Sequence, residues 1–403
     1  MLKLSIGKGV ALHLKTLVIL CLFSFPIFGQ EKSMDAFKSY DLNKNHRKVK
    51  LTDLIQEVEF IRLEETPESL LGTVNDVHLV GDKFVFMGDG LKGDIFVFDN
   101  QGKLINKINR RGNGPGEYTW LVDLWIEGDV IATFDRQRKS VFKYRLNGEF
   151  VSESKLNIAD ELVGDSKIAL SASHVIAKAN EYFLYMNHRQ IGDQLNYNLL
   201  KLDSDMNITG THLPFEGNEQ GLMTSYTPFF DYQESVIYHR SSSDTVYLYN
   251  EGSFVPFIQF EFGDDWHWDD YPDRGSGIIK SLREGEKVWK VSPKVGPRYI
   301  LTSSLYGKSG RLRLEHLIDR RSAEVRIIDL NRSSNKGIFD LQISHWESDD
   351  TFYAFLPSLA AVGLVTEATR KNWSFRGGTN LEEIASSENP VLVRIKIKDF
   401  SRD

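Results

Sequence analysis

The residues best equipped for chemistry sit in one acidic, aromatic run. Trp266, His267 and Trp268 are flanked by Asp264, Asp265, Asp269, Asp270, Tyr271 and Asp273. Aromatic rings stack on a pyranose face and carboxylates accept hydroxyl protons, so the set suits sugar recognition. The same five Asp could surround Ca²⁺ with oxygen ligands. The run lacks the sixth-position Gly and terminal Glu of an EF-hand loop, however, and no specific motif implies a cofactor. The plain alternative is an irregular loop whose rings pack on the domain while its carboxylates face water. Trp266 and Trp268 are two apart, so an extended backbone puts both rings on one side and His267 on the other. Leaving both rings in water costs roughly 25 cal/mol per Å² of apolar surface. They must pack on the domain or meet a partner. The candidate ligand-binding residues are therefore Trp266, His267, Trp268, Asp269, Asp270 and Tyr271.

Elsewhere the chemistry is sparse. The histidines do not cluster: His78, His174, His188, His212, His239, His316 and His345 are scattered through strand-like segments. None shows the spacing of a zinc site. Inner-strand histidines of different repeats could still converge in space. No Gly-x-Ser-x-Gly elbow occurs, so an α/β-hydrolase site has no support. Glu64-Glu65 and Asp349-Asp350 are adjacent pairs, which point to opposite faces of a strand and so are not acid–base pairs by themselves. Catalytic residues and metal ligands stay unassigned.

A second distinctive run is Arg110-Arg-Gly-Asn-Gly-Pro-Gly-Glu-Tyr118. Gly112, Gly114, Pro115 and Gly116 allow backbone positions closed to other residues. Such a run can present N–H groups to an anion. It has no Lys-Ser/Thr ending, and an alternating segment rather than a helix follows it, which argues against a nucleotide P-loop. The run reads as a structural turn through Gly112, Gly114, Pro115, Gly116, Glu117 and Tyr118.

The elements that must position these residues are hairpins. Ile95-Phe-Val-Phe-Asp-Asn-Gln-Gly-Lys-Leu-Ile105 recurs as Val141-Phe-Lys-Tyr-Arg-Leu-Asn-Gly-Glu-Phe-Val151. A looser copy runs from Leu199 through Asp203 to Ile208, and a fourth begins at Val246. Half-copies begin at Val325 and Val391. Each is an alternating strand, a Gly- or Asp-containing turn and a second strand. The step is about 46 to 50 residues, and four antiparallel strands with their turns need roughly 40 to 50, which is one propeller blade. Between 121 and 144, segments 121–127, 130–134 and 140–144 read as successive strands. The expected fold is all-β: a six-bladed β-propeller of mostly four-stranded antiparallel blades with small helical insertions. The strand at 57–63 and the strand at 391–398 each lack a partner, so they are expected side by side in a shared closing blade that protects both edges. Residues 262–297, with a short helix over 276–288, and residues 357–388 break the repeat and read as insertions.

Gly112-Asn-Gly-Pro-Gly-Glu-Tyr118, placed between one blade's outer strand and the next blade's inner strand, resembles the glycine-proline turn of six-bladed propeller proteins abundant in Bacteroidetes. Those are distant relatives of NHL-repeat propellers. Asp94-Ile-Phe-Val-Phe-Asp99 and Ser243-Asp-Thr-Val-Tyr-Leu248 are similar to that family's recurring strands, and a leader ending in Phe-Gly-Gln is similar to leaders of that phylum. The resemblance implies the fold and an exported location. It implies no reaction and carries over no catalytic residues.

The N-terminus supports export. Lys3, Lys8 and Lys15 precede an apolar run from Leu17 to Phe28, and Gly29 offers a small residue before Gln30. That is the order of a secretory signal, and about 12 apolar residues are too few to span a bilayer comfortably. The lone Cys21 follows Leu20 inside the apolar run, which does not suit lipidation. The chain then divides into a signal peptide (1–29), a flexible polar arm (30–50) and the propeller (51–403). The mature protein has no cysteine, so burial alone stabilises it, and it has no transmembrane segment. A net charge of −7 argues against nucleic acid. The expected function is a binding or scaffolding propeller in the periplasm or at the cell surface, with a carbohydrate or an envelope protein as partner and glycan handling as its setting. Two alternatives stay open: a lactonase-, lyase- or glycosidase-type enzyme with its site at the channel mouth, and a structural component of an envelope complex.

Overall fold

The structure is a computed structural model that describes residues 36–72, 74, 76–89, 91–157, 174–186, 197–215, 227–268, 285–307, 312–329, 341–365 and 372–399. Among these, the strands form six sheets, each built on four antiparallel strands, and three of them carry a fifth strand. Blade 1 runs from His78–Val80 to Leu104–Ile108, blade 2 from Leu121–Glu127 to Phe150–Lys155, and blade 3 from His174–Lys178 to Ile208–Pro214. Blade 4 runs from Phe229–Tyr232 to Ser253–Glu261 and blade 5 from Val288–Val295 to Val325–Asp329. Blade 6 joins Gln342–Trp346, Thr351–Leu356 and Val391–Ile397 to the N-terminal strand Ile55–Ile61. The closing blade is therefore shared, with Ile61 opposite Leu392 and Val58 opposite Ile395.

Side-chain alternation closes the ring. Phe84 and Phe86 pack with Tyr353 and Phe355 of blade 6, while Val85 and Met87 pack with Leu121 and Ile131 of blade 2. The same two-sided burial recurs at every blade and gives one apolar layer between each adjacent pair. A strand buried on both faces reads as a continuous apolar run, which explains Phe84-Val-Phe-Met87. The first strands of neighbouring blades approach one another and form the channel wall. Connections of two to four residues join first to second strands on one face of the disc. The connections between blades leave from the opposite face.

The arm expected to be flexible is not loose where the structure describes it. Lys38–Asp41 adds a fifth strand to blade 4, parallel to Ser253–Glu261, and Lys48–Lys50 does the same on blade 5 against Val325–Asp329. Tyr40 and Leu42 are buried in the layer between those blades. Two apolar residues at a step of two suffice to seat a short edge strand, although the composition around them is polar. Residues 30–35 lie outside the described set.

The expected insertions also change. Val288–Val295, assigned to the 262–297 insertion, is the inner strand of blade 5. Its Lys290, Pro293 and Lys294 obscured the strand pattern. Of the expected 276–288 helix, residues 276–284 lie outside the described set and residues 285–287 are not helical. Within 357–388, Ser358–Gly363 and Leu381–Ala385 are helical, but Trp373–Arg376 pairs in parallel with Ile55–Ile61 as a fifth strand of blade 6.

Candidate functional site

The aromatic run is core. Trp266 and Trp268 are buried in the layer between blades 4 and 5, and His267 is buried with them. Trp266 stacks on Phe262 with centroids 5.3 Å apart, and Trp268 Nε1 donates to the Trp289 carbonyl at 2.9 Å. The His267 N–H donates to the Val288 carbonyl at 2.9 Å. Rings held this way offer no free face to a sugar, so Trp266, His267 and Trp268 do not form the expected stacking platform. Asp269, Asp270, Tyr271 and Asp273 lie outside the described residues.

The glycine run is a turn that supplies its own anion. The Gly114 N–H donates to the Glu117 carboxylate at 2.7 Å, and a Cβ on Gly112 would run into that carboxylate. Gly112 N–H to Tyr118 carbonyl (2.9 Å) and Tyr118 N–H to Arg110 carbonyl (3.0 Å) close the loop. The fully buried Tyr118 donates its hydroxyl to the Gly93 carbonyl at 2.6 Å, and Tyr144 donates to the Gly116 carbonyl at 2.9 Å. Gly116 has φ +68°, and a Cβ there would come 2.9 Å from the Phe150 ring. With Glu117 in place, these N–H groups are not available to a ligand.

Polar groups converge instead on the channel wall, at two levels. Near the face from which the inter-blade connections leave, Asp123 of blade 2 is buried and accepts from three partners. These are His174 Nδ1 (2.9 Å), the Val175 N–H (2.7 Å) and the Thr227 hydroxyl (2.7 Å). His174 opens the inner strand of blade 3, and Thr227 precedes that of blade 4, so one carboxylate ties three consecutive blades. With Nδ1–H turned to Asp123, the other ring nitrogen, Nε2, points away from the carboxylate. No hydrogen bond to Nε2 is found among the described residues, and the His174 side chain is 17% exposed. The His174 ring lies 6.4 Å from that of Tyr185, stacked at 30°.

The second set has Lys178, Asp231 and Lys294 near the tight-turn ends of their strands and Asp76 before the start of its own. Lys294 of blade 5 reaches past blade 6 to Asp76 of blade 1 (3.2 Å), and its Nζ sits 4.7 Å from the Phe230 ring centre of blade 4. Lys178 of blade 3 pairs with Asp231 of blade 4 at 3.2 Å. Burial lowers the pKa of half-buried His78, against the pull of Asp76 and Asp231. Burial and then the neighbouring His78 lower that of His345. Both imidazoles are thus neutral at pH 7. Among the described residues no three His, Asp or Glu side chains come together as metal ligands.

A family profile described as "Domain of unknown function (DUF4934)" matches residues 37–396. The chain belongs to that family. The match spans the arm and all six blades of this DUF4934 member. It resembles a solved Bacteroides fragilis protein named for its inferred export, at 16% identity and TM-score 0.68, over 90% of this chain and 100% of that one. A duf4221-family protein of Bacteroides vulgatus matches at 10% identity and TM-score 0.49, over 86% of this chain and 97% of that one. No curated protein matches. Among the described residues no helix is long and apolar enough to cross a membrane.

Sequence reasoning named His78, His174 and His345 only as scattered, and passed over Asp76, Asp123, Asp231, Thr227 and Lys294. One signal was present. His78, Asp123 and His174 each lie within five residues of a strand-ending Gly-Asp or Ala-Asn pair (81–82, 128–129, 179–180 turns), which marks an inner strand.

Proposed function

We propose that the chain is an exported binding propeller that holds a hydroxyl-rich ligand, of the glycan class, at the channel mouth formed by blades 2 to 4. The observation that carries this reading is the Asp123–His174–Thr227 set. A carboxylate fixes the imidazole from behind, and Nε2 can accept a hydrogen bond from a ligand hydroxyl. The leader-like N-terminus and the likeness to an exported Bacteroides protein support the exported setting. The tied, charge-paired second level supports entry of the ligand from the inter-blade connection face.

The test is calorimetric titration of the full mature chain with a panel of soluble bacterial polysaccharides and their oligosaccharides. His174→Ala should weaken any binding at least tenfold, with a modest fall in melting temperature from the lost Asp123 hydrogen bond that leaves the protein folded in the assay. A variant that binds as the parent does refutes the site. The same Asp–His pairing favours one second reading, an enzyme in which His174 Nε2 takes a proton from substrate or water. Product formation from the same panel, lost in His174→Ala, would favour that reading over simple binding.

A further inference from the structure

The layer between blades 4 and 5 is mostly apolar, but blade 5 sends a polar row into it. Thr302 and His316 are cross-strand partners in Tyr299–Tyr306 and Leu312–Asp319, so they share a face. Ser304 and Tyr306 follow on that face at steps of two. It is the face that carries Ile300 and Ile318 against blade 4. Thr302, Ser304 and His316 are fully buried and Tyr306 is 2% exposed. Yet among the described residues Thr302 Oγ1, Ser304 Oγ and the Tyr306 hydroxyl have no hydrogen-bond partner, and the ring nitrogens of His316 have none beyond the nearby Asn43 backbone. Buried polar atoms without a partner are costly and rare, and several on one face call for a common partner.

The N-terminal arm roofs this row. His46 meets His316 edge-on at 6.3 Å, and Lys44 Nζ stands 4.7 Å from the Tyr306 ring centre while pairing with Asp265 at 2.9 Å. Burial, then the neighbouring His46, pushes His316 down to about 4. Its imidazole is therefore neutral, with one nitrogen to donate and one to accept. Three hydroxyls and a neutral ring carry no net charge and offer both donors and acceptors. That chemistry matches water, which does both, and does not match an ion.

We propose that Thr302, Ser304, Tyr306 and His316 form an internal hydration site between blades 4 and 5, closed by residues 41–46 of the arm. The site is independent of the channel mouth. The test uses Thr302→Val and Ser304→Ala, singly and together, in the full mature chain. Val keeps the shape of Thr and removes only its hydroxyl. If water bridges the row, each change strands a water or a neighbouring polar atom, and the melting temperature should fall by about 1–2 °C. If the hydroxyls are dry, the same changes remove a penalty, and an unchanged or raised melting temperature overturns the proposal. A high-resolution crystal structure gives the second reading. Ordered solvent within hydrogen-bond distance of Thr302 and His316 is expected, and a dry interface there overturns it.

Discussion

Replacing Leu42 by Ala tests whether the arm is part of the folded core. Leu42 is fully buried between blades 4 and 5, and its N–H donates to the Glu261 carbonyl at 2.8 Å. A buried Leu→Ala change costs about 2–5 kcal/mol, the lost transfer energy plus a cavity term. The arm is an edge segment that can shift to fill space, so the lower part of that range applies, about 2–3 kcal/mol. At ~2.1 cal/mol/K per residue, a domain of this size loses about 1.3 °C of melting temperature per kcal/mol, so a drop of about 3–4 °C is expected. Lys44→Ala is the control. Its ion pair with Asp265 has both side chains about 40% exposed, and such a pair contributes at most about 1 kcal/mol. Calorimetry on both variants separates the cases. If Leu42→Ala melts within 1 °C of the parent, the arm is not docked and the reasoning fails.

The other predictions concern pH and the glycine turn. Burial pushes His239 and His316 each down to about 4. Between about pH 6.5 and 4 the unfolded chain then binds more protons, and stability is full above 6.5 and falls as pH drops through that window, by up to about 3 kcal/mol per group. Urea midpoints from pH 7.5 to 4.5 should decline in the parent and less steeply in His239→Gln; equal slopes would count against the assignment. Tyr118→Phe removes a hydroxyl that serves the Gly93 carbonyl and the Arg110 N–H, so a loss of about 1–3 kcal/mol is expected. A urea midpoint unchanged from the parent would show that the turn does not depend on that hydroxyl.

The closing blade was legible because both of its end strands are long, alternating and visibly unpaired, so the need to protect two edges predicts their contact. The arm was not, because Tyr40 and Leu42 are only two apolar residues in a polar stretch, and a parallel fifth strand has no hairpin turn to announce it. The tryptophans misled for a physical reason. Apolar rings beside carboxylates look the same whether they await a sugar or seal an inter-blade layer, and only the position of Phe262 and Trp289 decides. The row of Thr302, Ser304 and His316 was hidden in the same way, since each looks like an ordinary strand residue until its partners are counted.

The channel groups were out of reach of sequence for a different reason. Asp123, His174 and Thr227 are each separated by about 50 residues, one blade apart, so no local motif joins them and only ring closure does. The arrangement has a direction. Lys294 crosses from blade 5 to Asp76 of blade 1, and Lys178 holds Asp231 beside it. Each pair is part-exposed and worth at most about 1 kcal/mol, so they do not seal the channel by energy. They do place two neutralised ion pairs in the channel. The channel thus holds paired groups on one side and, on the other, an imidazole whose Nδ1 is held by Asp123. If Lys294→Ala leaves glycan binding untouched while His174→Ala abolishes it, the two levels are functionally separate; if both weaken it alike, the ligand spans the channel and the site is larger than the His174 set.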